Sequence, residues 1–419
     1  MSRNKSNNIK AVIMAAGKST RTYPLTVTKP KPLLKIANKT LLEHQVKALS
    51  GLVNEIIIVI GYKQEMIKEF VEIILKKKYQ SLTFTFIEQK EQLGTGHVLT
   101  ILEDKISDVD EKFLIINGDD IFVKEDFEAL LKEESGFLVY NVDDVTPYGA
   151  VIADTKNNFI SIHEKPSKPK SGLVNCGAYL FTRDVFKFKN EVKKSPRGEY
   201  EIVDFLVLLA KSKKVNVLKV VRASAWFPIS FSWSLLDVNS HFLEQLSQNN
   251  ISNEAVIEKK VTLKGNIVVG KGTLLKSGTY IEGNVIIGEN CTIGPNCYIR
   301  GPTSIDDNSK VGNAVEIKGS ILGNKAVVGH LSYVGDSVIG DNVNLGAGTI
   351  TANLRHDHNN IKSEIKGSLI ETGRRKLGTI MGDGVHTGIH TSINPGRKLW
   401  PNTTTIAGQV VTADIKGEI

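Results

Sequence analysis

Up to about residue 225, short apolar runs alternate with stretches of helical pattern. The runs AVIMA (11–15), EIIIVIG (55–61), LTFTFIE (82–88), KFLIING (112–118), GFLVYNV (136–142) and VNVLKVV (215–221) predict strands, and 63–78 and 125–133 predict helices between them. That alternation predicts a mostly parallel sheet covered on both faces, with ligands at the C-terminal strand ends. Residues 234–250, SLLDVNSHFLEQLSQNN, read as one helix ending in a polar linker. A period of six then begins. Ile257, Leu263, Val269, Leu275, Ile281, Ile287, Ile293, Ile299, Ile305, Val311 and Ile317 are all aliphatic, and glycine follows at 270, 288, 294 and 312. This is the hexapeptide pattern of a parallel β-helix, three hexads to a triangular coil, with coils stacked at about 4.8 Å. The aliphatic residue fills the axis, and no single coil buries its own face. The phase slips by one residue around 317–322 and 334–339. It breaks at 351–376, a polar segment too long for a turn, and returns through Met381, Ile393 and Leu399. A polar insertion of that length is expected to project from one face and carry function.

The stretch AAGKSTR (15–21) ends as a phosphate-binding P-loop does, but that motif needs Gly where Val12 stands. Pro24, Pro30 and Pro32 also interrupt the long helix that would have to follow. What remains is a buried strand running into a small-residue turn. Such a turn lets backbone N–H groups approach phosphates, with Arg21, Lys29 and Lys31 following. The chain has 419 residues, enough for two or three domains, and 41% hydrophobic residues, so it is globular. Its net charge of +8 is spread along the chain and suits anionic small substrates. The run KKK at 76–78 reads as a solvated helix face. Aromatic–basic interleaving is absent, which argues against nucleic acid as a partner. Cys176, Cys291 and Cys297 have no metal-ligand spacing, and the sparse, odd count fits a reducing cytoplasm. Cys291 and Cys297 precede axial positions by two and read as small buried side chains. No leader-like apolar segment opens the chain, and no run is long enough to span a membrane.

A nucleotidyltransferase-like half followed by a hexapeptide half resembles the bifunctional N-acetylglucosamine-1-phosphate uridylyltransferase / glucosamine-1-phosphate N-acetyltransferase family, archaeal forms above all. The resemblance runs from residue 10 to about 410. It implies an α/β, Rossmann-like nucleotidyltransferase domain (1–238), a linker helix (239–254) and a left-handed parallel β-helix acetyltransferase domain (255–419) with the projecting loop 351–376. AAGKSTR resembles the family's G-x-G-T-R loop, with Ser19 at the second Gly. By that match Ala15, Ala16, Gly17 and Arg21 surround the triphosphate, and Lys31 of PKPLL sits on the phosphates. EQKEQLGTGH (88–97) resembles the uracil-binding stretch and implies Gln89, Gly94 and Thr95 as base contacts. NGDD (117–120) implies Asp119 as the Mg²⁺ ligand, with Asp120 as a possible plain turn residue. PYGAV, HEKP and NCGAY resemble sugar-pocket segments and imply Gly149, Glu164 and Asn175. Relatives with W-x-D-I-G-x-P-W-D-L-L place a second metal ligand at that Asp. Here the stretch is AWFPISFSWSLL, with Pro228 at the Asp and Ser230 at the Gly.

In the second half, VEIKGSILGNKAVVGHLSYVGD and NLGAGTITANLR carry the closest match. It implies His330 as general base, Arg300 and Lys318 as sugar-phosphate binders, and Tyr333, Asn344 and Asn353 as sugar contacts. Ala347 and Gly388 would lie along acetyl-CoA, and Lys362 would reach a ligand from the loop. Asn359 stands where some archaeal relatives carry Lys. Three readings follow. One is synthesis of UDP-N-acetylglucosamine from glucosamine-1-phosphate, acetyl-CoA and UTP. Another is a glucose-1-phosphate thymidylyl- or uridylyltransferase, accepting dTTP or UTP, with broad amino-sugar-1-phosphate acetylation. The third is a non-catalytic assembly subunit, which has no need of Arg21, Lys31, Asp119 and His330 together. The resemblance also implies a cytoplasmic homotrimer held by the β-helix.

Overall fold

The structure is a computed structural model that describes residues 9–106, 112–168, 170–221 and 226–417. The polar residues 1–8, where no leader was read, and Ala225 of the AWFPISFSWSLL stretch lie outside the described residues. By contact density the chain forms two compact units. The first holds residues 1–18, 30–33 and 41–228; the second holds 19–29, 34–40 and 229–419.

The first unit is built on a nine-stranded sheet. Its centre is Lys10–Met14, paired in parallel with Glu55–Ile60 on one side and Lys112–Asn117 on the other. Thr83–Glu88 extends it beyond Glu55–Ile60. These strands read as unbroken apolar runs because both faces are covered. Ala11, Ile13, Ile56, Ile58 and Ile116 pack into one core, while Val12, Ile57, Val59, Phe113 and Ile115 pack into the other. The expectation of a mostly parallel sheet needs a correction. Gly172–Thr182 runs antiparallel to Lys112–Asn117, Gly136–Val142 and Gly149–Ala153, and Phe159–Glu164 runs antiparallel to Gly149–Ala153. Among the described residues four pairings are antiparallel and four parallel, the fourth parallel one being Gly136–Val142 with Asn216–Lys219. Gly149–Ala153 and Phe159–Glu164 form a hairpin, and Gly172–Thr182 runs back between Gly136–Val142 and Gly149–Ala153, whereas a crossover connection would be needed to make such neighbouring strands parallel. The 63–78 pattern forms a continuous helical stretch, Gln64–Lys78. It buries Ile67, Val71 and Leu75 and leaves Lys76 to Lys78 in solvent, where Lys78 reaches Glu43 at 2.5 Å.

In the second unit the helix runs Ser234–Glu244, and Asn250–Ile251 already pairs with the strand Ile267–Val269. Three parallel sheets then climb the left-handed β-helix, one per face. Successive coils are offset by 18 residues at first, as in Leu274↔Thr292 and Ile281↔Ile299. The predicted phase slips are coils of 17, as in Ile305↔Leu322, Ile317↔Val334 and Leu322↔Ile339. From Val269 to Ile317 every sixth residue is at most 2% exposed. Each such side chain contributes about 1.5–3 kcal/mol of burial. Ile257 is 41% exposed, because its strand ends a sheet and has a neighbouring coil on one side only. Cys291 and Cys297 are buried thiols, and burial pushes both up to about 11. The insertion shows as a jump of 42 residues between paired strands, Val338↔Ile380 and Ile350↔Ser392. It contains the hairpin Lys362–Ile365 with Ser368–Glu371. Ile361 is buried beneath it, and Ser363 Oγ donates to the Gly396 carbonyl at 2.9 Å.

The insertion is also held by a buried cation. Lys398 is 1% exposed; its Nζ donates to the Glu364 carbonyl at 2.8 Å and lies 5.4 Å from the Trp233 ring centre. Burial lowers its amino group to about 8, against partial compensation from Asp414 and Glu364. The unfolded chain therefore holds the extra proton between about pH 8 and 10.5, and the parent protein gains stability as pH rises through that window. For Lys398→Met the parent's deficit relative to the variant should shrink by about 2–3 kcal/mol between pH 7 and pH 10. Equilibrium denaturation of both proteins at the two pH values checks this; parallel pH dependences would contradict it.

Candidate active sites

In the first unit, Lys10–Met14 ends in the turn Ala15–Gly17. The turn is hemmed in by backbone: Tyr62 N–H donates to the Ala16 carbonyl at 3.0 Å, and Gln92 Nε2 donates to the same oxygen at 3.1 Å. Glycine is needed around it, since a Cβ on Gly118 would lie 2.4 Å from the Met14 carbonyl oxygen. Lys31 is 5% exposed, and its Nζ donates to Asp119 Oδ2 at 2.7 Å. The paired carboxylate offsets part of the cost of burying this side chain. Asp119 stands just past the C-terminal end of Lys112–Asn117 with its side chain 40% exposed. Asp120 is a buried strand residue rather than a turn residue. Burial first, and the neighbouring Asp119 charge second, raise its carboxyl well above the usual range. Its Oδ2 accepts from Asn117 Nδ2 at 3.0 Å.

The two-residue strand Asp120–Ile121 pairs antiparallel with Phe227–Pro228, and Pro228 stands directly opposite Asp120. Position 228, where the resemblance expects a second carboxylate, is thus next to Asp120 in the sheet, and proline offers no carboxylate there. Asp119 is the one exposed carboxylate of the NGDD turn. Such a donor set fits a Mg²⁺ ion held mainly by phosphates and water.

Gln89 Nε2 donates to the Gly94 carbonyl at 3.0 Å and meets His97 Nδ1 at 3.2 Å. Gly94 precedes the helix Thr95–Leu102 at φ +96°, and a Cβ there would lie 2.5 Å from the Tyr200 carbonyl oxygen. Thr95 Oγ1 accepts from Ile202 N at 3.2 Å. The sugar-pocket positions fall on adjacent antiparallel strands. Glu164 pairs with Gly149, and a Cβ on Gly149 would lie 2.7 Å from Glu164 Oε1. Burial raises the Glu164 carboxyl above its ordinary value. Asn175 sits where the register of Gly172–Thr182 shifts; its Nδ2 donates to Tyr179 Oη at 2.7 Å and its Oδ1 accepts from Gly177 N at 3.1 Å.

Arg21 belongs to the second unit. It lies in the short turn Thr20–Thr22, exposed, with its guanidinium 6.0 Å from the Phe231 ring centre. Ser19, where the motif has glycine, holds φ +51°. That left-handed conformation is the one glycine adopts freely and serine at a cost. Lys29 pairs with Asp341 and Asp383, so its charge is already matched, unlike the phosphate partner the sequence suggested.

On the β-helix, Arg300 and Lys318 are register neighbours in successive coils. They line an open groove of about 540 Å³ with Lys264, Glu282 and three glycines. Arg300 pairs with Glu316 at 2.7 Å and its buried Nε has no partner among the described residues. Lys318 Nζ donates to Asp336 Oδ2 at 2.9 Å. Asn353 Nδ2 donates to the same oxygen and, at 3.1 Å, to Tyr333 Oη. Burial, then the charges of Asp336 and Glu316, raise the Tyr333 phenol. Gly335 follows Lys318 in the ladder, and a Cβ there would lie 2.4 Å from Tyr333 Oη. Lys318 and Asn353 thus converge on Asp336, with Tyr333 joined to it through Asn353, and Asp336 is a residue that sequence reasoning missed. Ladder arithmetic carried the signal, since Asp336 N–H bonds the Lys318 carbonyl one coil below.

His330 ends the strand Val327–His330, exposed, and its imidazole has no partner among the described residues. Its carbonyl accepts from Gly348 N at 3.1 Å, and Ala347 O accepts from His390 N at 2.7 Å. Gly346 stacks on Gly388 so closely that a Cβ would lie 2.7 Å from the Gly388 carbonyl oxygen. His330, Ala347 and Gly388 therefore lie on successive coils. Asn344 is exposed on a neighbouring strand position. Lys362 pairs with Glu371 at 3.5 Å across the hairpin, and Asn359 is exposed before it; neither joins the Asp336 cluster.

Asp336→Ala should release Lys318 and Asn353 together. It should raise the KM for an amino-sugar phosphate in acetyl transfer by about tenfold, the cost of misplacing positioning groups, while nucleotidyl transfer stays near the parent value. Steady-state kinetics of both reactions on the same preparation decide it; an unchanged KM would remove Asp336 from the site.

The Nucleotidyl transferase family matches residues 10–245, and the GMPPB C-terminal domain matches residues 281–412. A "Bifunctional protein GlmU" of Methanocaldococcus jannaschii is 39% identical over 406 residues, covering 97% of this chain and 95% of that protein. A "Bifunctional sugar-1-phosphate nucleotidylyltransferase/acetyltransferase" of Sulfurisphaera tokodaii is 37% identical over 412 residues, with 97% and 98% covered. A solved UDP-glucose pyrophosphorylase complexed with UDP-glucose aligns with a TM-score of 0.50 at 23% identity, over 56% of this chain and 98% of that one. That likeness concerns the fold of the first half alone. Near-complete coverage by relatives of this identity settles the lineage: the chain belongs to the GlmU family of bifunctional sugar-1-phosphate nucleotidylyltransferase/acetyltransferases.

Proposed function

We propose that the chain makes UDP-N-acetylglucosamine in the cytoplasm in two steps. Acetyl-CoA acetylates glucosamine-1-phosphate at the β-helix, and UTP then uridylylates the product with release of pyrophosphate. The observation that carries the reading is that one chain holds both a phosphate turn beside the Lys31–Asp119 pair and a cationic groove ending at Arg300 and Lys318. In the first step the sugar amine attacks the thioester carbonyl, His330 takes the amine proton, and the CoA thiol leaves. An exposed imidazole with no partner among the described residues is free to take that proton. Arg300 and Lys318 neutralise the sugar phosphate, with Tyr333, Asn344 and Asn353 on the sugar. Ala347 and Gly388 line the acetyl-CoA path, and Lys362 approaches from the insertion.

In the second step a sugar-phosphate oxygen attacks the α-phosphorus of UTP. Charge neutralisation outweighs covalent help in such transfers. Lys31, Arg21 and the N–H groups of Ala15–Gly17 serve the phosphates; Gln89, Gly94 and Thr95 hold the base; Gly149, Glu164 and Asn175 hold the sugar. Mg²⁺, when bound, adds positive charge at the phosphates, with Asp119 as its protein ligand. A homotrimer through the β-helix is the assembly we propose, as a prism-shaped solenoid is compatible with threefold closure.

Incubation with glucosamine-1-phosphate, acetyl-CoA, Mg²⁺ and either UTP or dTTP, with the sugar nucleotide identified by mass, tests the whole. His330→Ala should abolish acetyl transfer and spare nucleotidyl transfer. Lys31→Ala should cut the latter at least ~10²-fold, as for removing a charge aimed at the reacting phosphates. If either variant loses both activities while folded, the separation of roles fails. The register of Pro228 with Asp120 generates another expectation. Pro228→Asp with Ser230→Gly should lower the Mg²⁺ concentration giving half-maximal nucleotidyl transfer and leave acetyl transfer unchanged. No shift in a folded double variant would mean that Pro228 does not occupy a metal position.

A further inference from the structure

The groove at Arg300 and Lys318 continues beyond them along the β-helix. Lys264, Glu282, Arg300 and Lys318 form one ladder column, each a coil from the next, and all four belong to the second unit. Three coil steps of about 4.8 Å make this column about 14 Å long. A Cβ on Gly265 would lie 2.3 Å from the Gly283 carbonyl oxygen, so the wall beside the Lys264 end is bare backbone. The volume of about 540 Å³ falls within the span of small-molecule sites, about 300–1,000 Å³.

A second outward column, two residues earlier on each strand, runs beside the first. It sets Tyr280 opposite Tyr298, with ring centres 5.5 Å apart at 75°. Arg300 lies 5.4 Å from the Tyr298 ring centre, and Lys264 Nζ lies 5.1 Å from that of Tyr280. Tyr298 Oη donates to Glu282 Oε1. Both tyrosines are half-buried, with part of each ring left to solvent. They stand 18 residues apart in the chain, and only the coil repeat makes one aromatic patch of them. An aromatic pair across neighbouring strands supports any sheet, but that role asks for no carboxylate or cations around it. An amino-sugar monophosphate held by Arg300 and Lys318, with its sugar toward Tyr333 and Asn353, also leaves the Glu282 and Lys264 coils unused.

We propose that this face takes a nucleoside-diphosphate amino sugar as acetyl acceptor, in addition to the amino-sugar phosphate. The inference rests on the reading of Arg300 and Lys318 as phosphate binders. With a phosphate held there and the sugar beyond Lys318, the nucleoside extends toward Lys264. A carboxylate has several acceptor sites, of which Tyr298 uses one at Glu282, and carboxylates are suited to ribose hydroxyls. Tyr280 and Tyr298 supply rings on which a base can stack. The transfer itself is unchanged. The amine nitrogen bonds the acetyl carbon, the C–S bond breaks, and the amine proton passes to His330 and then to the departing CoA sulfur. Acetylation can therefore follow nucleotidyl transfer as well as precede it.

The experiment uses the full-length protein with acetyl-CoA and without UTP or pyrophosphate. Glucosamine-1-phosphate and UDP-glucosamine are offered separately, and thiol release and product mass are followed. Both should be acetylated. Tyr280→Leu should lower kcat/KM for UDP-glucosamine by about tenfold, the size expected for lost base stacking, and leave glucosamine-1-phosphate within twofold. Tyr280→Phe should retain activity on both. The proposal is overturned if a preparation that acetylates glucosamine-1-phosphate leaves UDP-glucosamine untouched. It is also overturned if Tyr280→Leu lowers both acceptors alike, or neither. Arg300→Ala run alongside separates the two claims. If it loses activity on glucosamine-1-phosphate while UDP-glucosamine fails in the parent, only the extension falls. If it keeps full activity on glucosamine-1-phosphate, the phosphate reading itself falls.

Discussion

Everything on the β-helix follows from one packing constraint: each coil must put an aliphatic side chain on the axis in register with the coil next to it. Ile281↔Ile299↔Ile317↔Val334 is one such column, and all four are fully buried. Once the axis is fixed, alternate residues must point outward. Arg300 and Lys318 follow Ile299 and Ile317 by one position, so the same register that buries the aliphatics stacks the cations at the groove. Two like charges on adjacent strands repel unless they are countered. Glu316, on the strand of Lys318, and Asp336, one coil further on, do this. The groove is thus an outward consequence of the inward pattern.

The polar turns between strands obey a second constraint. A coil corner leaves backbone N–H groups that need acceptors, and aspartate side chains meet several of them: Asp307 for Glu289, Asp341 for Asn324 and Asp383 for Asp341. An aspartate used in this way retains a second oxygen. At Asp341 and Asp383 that oxygen holds Lys29. The same residue can therefore serve the coil and the segment that carries Arg21.

The nucleotide half solves a different problem. Its central parallel strands are apolar along their whole length, so their polar chemistry can appear only at the ends. Ala15–Gly17, Asp119 and Gln89 each follow the C-terminal end of a different strand of the parallel core. The sugar-pocket positions lie on the antiparallel part of the sheet instead, where a hairpin places Gly149 against Glu164 and a register shift turns the backbone at Asn175.

The sequence alone determined the elements whose patterns are local. The period of six, its slips at 317–322 and 334–339, the insertion and the six strand runs all reappear, because burial on an axis or in a two-faced sheet dictates residue type at fixed spacing. Neighbours in sequence are neighbours in space at Gln89 with Gly94, whereas Asp336, which bonds Lys318 and Asn353 from other coils, left no mark in the local pattern. The antiparallel return of residues 136–182 was not, because apolar runs report burial and carry no direction. The role of Lys29 was not either: as a lysine beside a phosphate turn it is indistinguishable from Lys31. Only tertiary structure separates them, by bringing Asp119 to one and Asp341 with Asp383 to the other across more than 300 residues of chain. A buried charge is decided by its partner, and a partner that distant leaves no local trace.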